Sequence, residues 1–194
     1  MTSPALILAS TSIYRRALLQ KLGLPFSVDS PAIDESRHAH ETAAELALRL
    51  GIAKAQALQT HYPRHLLIGS DQVASVEQRI LGKPGNRANA LQQLTQVSGK
   101  AITFYTSVCV LDSASGRYLS AVDTTTVHFR QLSLAQIEHY LDHDQPYDCA
   151  GSFKAESLGI ALFEKILGDD PNALIGLPLI QLVQLLEQFG VQVL

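Results

Sequence analysis

Two long segments rich in β-branched and aromatic residues, AITFYTSVCVLD (101–112) and RYLSAVDTTTVHFRQ (117–131), face each other across the short turn SASG. A ribbon of this length commits the chain to a sheet. Before it, apolar runs of strand length alternate with segments of helical periodicity, and the combination predicts an α/β fold: a mixed twisted sheet with flanking helices. Leu6–Ala9 reads as a buried strand, followed by a helix carrying Ala17, Leu18, Leu19 and Leu22. A short FSV segment and the polar loop SPAIDESRHAHET lead to a long helix from Thr42 to Tyr62, opened by a Thr42/Glu45 capping box and stopped by Pro63. HLLIGSDQVASV is a strand interrupted at Gly-Ser-Asp, and EQRILGKPGN is hairpin-like. Asn86 caps a helix to Val97, and a Ser133/Gln136 capping box opens one that ends near His143. Then come polar CAGSFKAESLG, a strand IALFEKI, the turn LGDDPN and a final helix from Pro178 to Phe189. With no repeat and no Pro- or Ser-rich linker, a single domain over 1–194 is expected.

The chain of 194 residues is 46% hydrophobic and 17% charged, enough to bury a full core. A formal net charge of −3 offers no general field for nucleic acid, so no nucleic-acid partner is expected. Cys109 and Cys149 have no CxxC spacing, which argues against a disulfide framework or zinc site and suits a reducing compartment. The first residues lack a basic n-region, and no stretch approaches the roughly 18 apolar residues of a membrane span. A cytoplasmic protein with no membrane partner is the expectation.

Four polar clusters interrupt the apolar elements. Ser10-Thr11-Ser12 precedes Arg15 and Arg16 in the first turn of a helix, where free N–H groups and the macrodipole already favour negative charge. Hydroxyls and a fork-shaped cation there suit a phosphate group, although Ser12 also fits a plain N-cap and the arginines a solvated surface. Asp71, in Ser70-Asp71-Gln72, follows the apolar LLIG, where an ionised carboxylate needs a partner or a task; the competing reading is a turn aspartate. Asp34-Glu35 supplies Glu35, which with Asp71 makes the two carboxylates a phosphate-bound metal usually needs. Lys83, in Gly82-Lys83-Pro84, offers a point charge to phosphate or is simply soluble surface. His38 and His40 sit close enough to suggest a metal, but a polar loop is the plainer reading. GxSxG, Walker A and GxGxxG patterns are absent.

Taken in order, LILASTSIYRRALL, AIDE, IAKAQAL, IGSDQV, LGKP, AGSFKAE and NALIGLPL resemble the Maf family of nucleoside triphosphate pyrophosphatases over nearly the whole chain. The resemblance implies two lobes around a cleft, as in inosine triphosphate pyrophosphatases, and hydrolysis of a nucleotide to its monophosphate and pyrophosphate. It also implies a divalent cation, Mg²⁺ first, with Mn²⁺ or Co²⁺ as alternatives. Ser10, Arg15 and the adjacent Arg16 would meet phosphate, Glu35 and Asp71 the metal or water, and Lys54 and Lys83 the remaining charge, with Asp71 as proton acceptor. Periodicity alone leaves Lys54 a solvated lysine on the long helix.

The chain departs from the usual Ser-Pro-Arg-Arg at Ser12-Ile13-Tyr14-Arg15. Tyr14 replaces a cation with an aromatic face, and N7-methylated guanine carries a positive charge that such a face prefers. Glu156 in AGSFKAE can accept from the N1–H and N2–H₂ donors of guanine, and Gln72 can bond a further base edge. With these residues the chain resembles the 7-methyl-GTP pyrophosphatase subfamily more than the dTTP/UTP one. If Tyr14 merely packs on its helix and Glu156 is a loop charge, UTP or dTTP remains the substrate. A non-catalytic nucleotide-binding regulator of cell division is the alternative from another class. The apolar run ALIGLPLIQLVQLL fits either a homodimer face or a buried core helix.

Overall fold

In the computed structural model, which describes residues 4–194, strand β1 (Ala5–Ala9) pairs in parallel with β2 (Phe26–Asp29) and β3 (His65–Gly69). Helices α1 (Ile13–Gln20) and α2 (Ala43–Ala57) make the two connections between these strands. β3 in turn pairs antiparallel with β6 (Ala101–Asp112), Gly69 opposite Cys109 and Leu66 opposite Asp112. The sheet is therefore mixed and flanked by helices, as the patterning predicts.

The chain forms two compact units. The first comprises the chain up to Gln72, Thr106–Asp123 and Asp170–Leu194; the second comprises Val73–Tyr105 and Thr124–Asp169. In the first unit both faces of the sheet are buried, which explains why its strands read as unbroken apolar runs rather than alternating ones. Leu6, Leu8, Leu66, Ile68, Val108 and Val110 point to the face covered by Leu18 and Leu19 of α1 and by the C-terminal helix α6 (Leu179–Glu187). Ile7, Ala9, Leu67, Cys109 and Leu111 point to the opposite face, against Ala55 and Leu58. The apolar C-terminal run thus lies largely in the core: Leu179, Leu182, Leu185 and Leu186 are buried there, while Ile180 stays exposed.

The second unit contains β4 (Gln72–Val76) from Val73 on, β5 (Arg79–Leu81), α3 (Arg87–Val97), α4 (Leu134–Asp144) and β8 (Phe163–Leu167), with the adjoining parts of β6 and β7 (Tyr118–Phe129). β4 and β5 form a hairpin through Glu77 and Gln78, both at positive φ. β7 pairs with β6 and β8. Phe104, Phe129, Phe153 and Phe163 pack edge to face, with ring centroids 4.8–5.6 Å apart.

Three elements differ from the sequence expectation. Helix α2 ends at Ala57, and 58–62 continue as tighter turns, with Gln59 N bonding Gln56 O and His61 N bonding Leu58 O. Residues Leu158–Leu162 form a 3₁₀ turn, and the strand begins only at Phe163. Asp170 caps a short helix α5 (Pro171–Ile175) where a turn is expected from LGDDPN; proline at its first position is preorganised for that start.

Candidate active site

The alternation of β3 continues past its last residue and decides where the polar cluster points. Leu67 faces α2, so Gly69 and Asp71 do too, whereas Ser70 follows Ile68 to the other face. On the α2 face, Lys54 Nζ lies 2.6 Å from Asp71 Oδ1 and 2.8 Å from Glu35 Oε1. Lys54 and Asp71 are each only 8% exposed, so either charge alone would carry a heavy desolvation cost; together they satisfy each other. Glu35 reaches in from the exposed loop.

This triad depends on close backbone approach. A Cβ on Gly69 would fall on the Gly51 carbonyl oxygen and 2.8 Å from Ala55 N, and one on Gly51 would fall on Ser107 Oγ. Glycine at 69 lets α2 lie that near β3, and glycine at 51 leaves room for the Ser107 hydroxyl of β6. Ser107, fully buried, donates its hydroxyl to Ala47 O at 2.6 Å and accepts from Asp71 N at 3.0 Å, while its own N–H donates to Asp71 O at 2.8 Å. One side chain therefore ties the helix bearing Lys54 to the backbone of Asp71. The loop bearing Glu35 is held by Arg49, whose guanidinium binds Glu41 at 2.6 and 2.9 Å and Ser36 O at 2.9 Å. That bond draws the Glu41 carboxyl down to about 2.

On the other side of the sheet, Ser10 is buried at the end of β1 and its Oγ accepts from Ser12 N at 3.1 Å; Ser12 Oγ in turn caps α1 by accepting from Arg15 N. Ser12 is thus the N-cap. Arg15 is half-buried and its Nε donates to Gly176 O at 2.8 Å; burial lowers its pKa, and the Asp71 and Glu35 carboxylates oppose that. Arg16 is exposed, and Tyr14 is half-buried on the first turn of α1. Gln72 Nε2 is shared among Thr106 Oγ1, Ala173 O and Leu174 O at 2.9–3.0 Å, so its amide anchors α5.

Ser10, Arg15, Glu35, Lys54, Asp71 and Gln72 thus all belong to the first unit. Lys83 and Glu156 belong to the second. Lys83 is exposed beside buried Pro84, in the rim of a concavity that Arg79, Asn89 and Gln93 also line. Glu156 is exposed on the loop after α4. That loop is organised by Asp144, whose carboxylate accepts from His143 Nδ1 at 2.9 Å, Ser157 Oγ at 2.7 Å and Gly159 N at 3.2 Å. Burial alone would raise its pKa; these bonds outweigh it and hold the carboxyl below the ordinary value.

His38 and His40 are exposed in their loop, and among the described residues no three His, Cys, Asp or Glu side chains gather as a metal cluster. The two carboxylates that do converge, Glu35 and Asp71, are hard oxygen donors of the kind Mg²⁺ takes while keeping water and substrate phosphates as its other ligands. Sequence reasoning passed over Ser107, gave Ser70 and Gly176 no role of their own, and read Asp144, here buried, as part of a solvated helix end. A signal was present for the first: Thr106-Ser107 are adjacent hydroxyls in an apolar strand, and alternation sends one to each face.

The chain is 54% identical over 189 residues to the 7-methyl-GTP pyrophosphatase of Colwellia psychrerythraea, covering 97% of this chain and 94% of that one. It is 53% identical over 194 residues to the 7-methyl-GTP pyrophosphatase of Vibrio vulnificus, covering both in full. Among solved structures it is similar to a HAM1 protein from Coxiella burnetii at 15% identity and a TM-score of 0.47, over 66% of this chain and 74% of that one. The family description "Maf-like protein" matches residues 5–189. Glu35, Lys54, Asp71 and the arginine-bearing turn all fall within that span, and the chain belongs to the Maf family.

Proposed function

We propose that this chain hydrolyses 7-methyl-GTP to 7-methyl-GMP and pyrophosphate. The observation that carries the reading is the Lys54 ammonium held at 2.6 and 2.8 Å between the carboxylates of Asp71 and Glu35, with Arg15 in the first turn of α1. Relatives more than half identical that bear the name 7-methyl-GTP pyrophosphatase support it.

Asp71 orients and deprotonates the water that attacks the α-phosphorus, and Lys54, freed from its carboxylates, meets the charge that builds on the pyrophosphate leaving group. Arg15 and Ser10 hold phosphate oxygens, with Arg16 adding positive charge at the same turn. The charges of Glu35, Asp71, Lys54 and Arg15 cancel, so a triphosphate needs further cations. Glu35 and Asp71 would hold a divalent metal, Mg²⁺ first, which when bound neutralises phosphate charge. Lys83 as a further phosphate cation and Glu156 as an acceptor for the base rest on the sequence reading and the resemblance. Tyr14 favours a cationic base by roughly 0.5–2 kcal/mol, about 2- to 30-fold. Gln72 already donates to α5, so its contribution to the base falls to its carbonyl oxygen.

The test is pyrophosphate release from 7-methyl-GTP, GTP, UTP and dTTP with Mg²⁺ present. The reading expects the highest kcat/KM on 7-methyl-GTP, reduced toward that on GTP by Tyr14→Ala and Glu156→Gln. Equal rates on GTP and 7-methyl-GTP would remove the base assignment, a preference for UTP or dTTP would replace it, and binding without turnover would establish the nucleotide-binding regulator instead.

A cytoplasmic location belongs to the same proposal: Cys109 and Cys149 form no disulfide, and no described helix is long and apolar enough to cross a membrane. So does the homodimer implied by the resemblance, although the C-terminal leucines, used in the core, no longer argue for it. A monomeric mass in light scattering would remove it.

A further inference from the structure

The segment NALIGLPL is left without a task by the chemistry above, yet it is anchored by several buried and half-buried side chains. Asp170, 1% exposed, accepts from Asn172 N and Asn172 Nδ2 at 2.8 Å through Oδ1 and from Ile180 N at 2.8 Å through Oδ2, fixing the starts of α5 and α6 together. The last carbonyls of a helix lack partners within it. Here Ala173 O accepts from Gln72 and from Thr106 Oγ1, and Leu174 O from Gln72. The chain then turns at Gly176, φ +135°, a conformation that other residues rarely adopt. The turn presents the Gly176 carbonyl to two donors from different elements: Arg15 Nε at 2.8 Å and Ser70 Oγ at 3.0 Å.

We propose that Gly176, steadied by Ser70, is the positioning residue for Arg15: its carbonyl holds Nε and so fixes the plane in which the two terminal nitrogens meet phosphate oxygens. A guanidinium recognises phosphate through a planar fork, and a fork free to rotate would lose binding to ordering entropy. Ser70 keeps the carbonyl aimed, and it sits next to Asp71, so the phosphate fork and the proton acceptor are referenced to the same turn. The proposal rests on Arg15 holding phosphate, as read above.

The test is a double-substitution cycle. Full-length parent, Gly176→Ala, Ser70→Ala, Arg15→Ala and both pairwise combinations with Arg15→Ala are assayed for nucleoside monophosphate formation, with KM, kcat and inhibition by inorganic pyrophosphate measured for each. Gly176→Ala is expected to raise KM and the pyrophosphate inhibition constant about tenfold, and Ser70→Ala about threefold, with kcat little changed; neither adds to Arg15→Ala. A general structural defect would instead lower kcat and melting temperature in both backgrounds, and effects on KM additive with Arg15→Ala would overturn the proposal. Should Gly176→Ala fail to fold, the Ser70→Ala cycle decides alone. If Arg15→Ala leaves KM and pyrophosphate inhibition unchanged, the phosphate role of Arg15 fails and the proposal with it; if Arg15→Ala weakens both and the cycle is additive, only the positioning role fails.

Discussion

The two units hold their polar groups in different ways. In the first, Lys54 and Asp71 are brought together by backbones in contact: Gly51 and Gly69 admit no side chain, and the buried Ser107 hydroxyl joins helix to strand. In the second, the loop carrying Glu156 is gathered by one ionised side chain, Asp144, which receives a ring nitrogen, a hydroxyl and a backbone N–H. Close packing fixes a geometry to within tenths of an ångström but tolerates no added volume. A carboxylate hub tolerates neighbours of varied shape yet depends on its charge.

The comparison is broken most severely at Asp71. Asp71→Asn keeps the size and the backbone bonds to Ser107 but removes the base, and kcat should fall about 10²- to 10⁴-fold with the fold intact by circular dichroism. Full turnover in that variant would separate the packed triad from the chemistry altogether.

Next come the two modes of support. Gly69→Ala, which drives a methyl into the Gly51 carbonyl, should lower stability by about 3 kcal/mol or more, the upper end of the overpacking range. Asp144→Asn keeps the shape but offers one acceptor oxygen where two are used, and should lower stability by about 1–3 kcal/mol. Denaturant titration of both variants reads the difference, and hydrogen exchange at 153–159 should quicken only in Asp144→Asn. Equal, global effects would mean that the two units do not differ in kind.

The smallest effect concerns the Glu35 loop, which is held by charge although it serves the packed unit. Glu41 titrates near 4.5 when unfolded and at about 2 when folded. A folded-state value below the unfolded one adds stability that is complete above about pH 4.5 and disappears as pH falls toward 2. Arg49→Met should flatten the acid limb of the stability profile in that window, its loss of stability being complete above about pH 4.5 and vanishing as pH falls toward 2. An unaltered acid limb would place the loop's support elsewhere.

Much of this was legible in the order of residues. Capping boxes at Thr42 and Ser133 and the cap at Asn86 mark their helix starts, because a cap is a contact between residues three apart. Uninterrupted apolar strands announce a sheet covered on both sides, and the burial of Asp71 after LLIG marks it as a group needing a partner. Local sequence cannot identify that partner. Lys54 lies 17 residues away on a helix whose periodicity allows a solvated lysine, and only the approach of Gly51 to Gly69 turns it toward Asp71. Arg15 and Gly176 are 161 residues apart, and the hydroxyls of Thr106 and Ser107 find their partners only where α5 and α2 close over opposite faces. Helical hydrogen bonds, caps and strand periodicity act between near neighbours, so the sequence determined the elements; strand pairing, burial and charge pairing act between residues that only the folded chain brings together, so the tertiary structure decided the site.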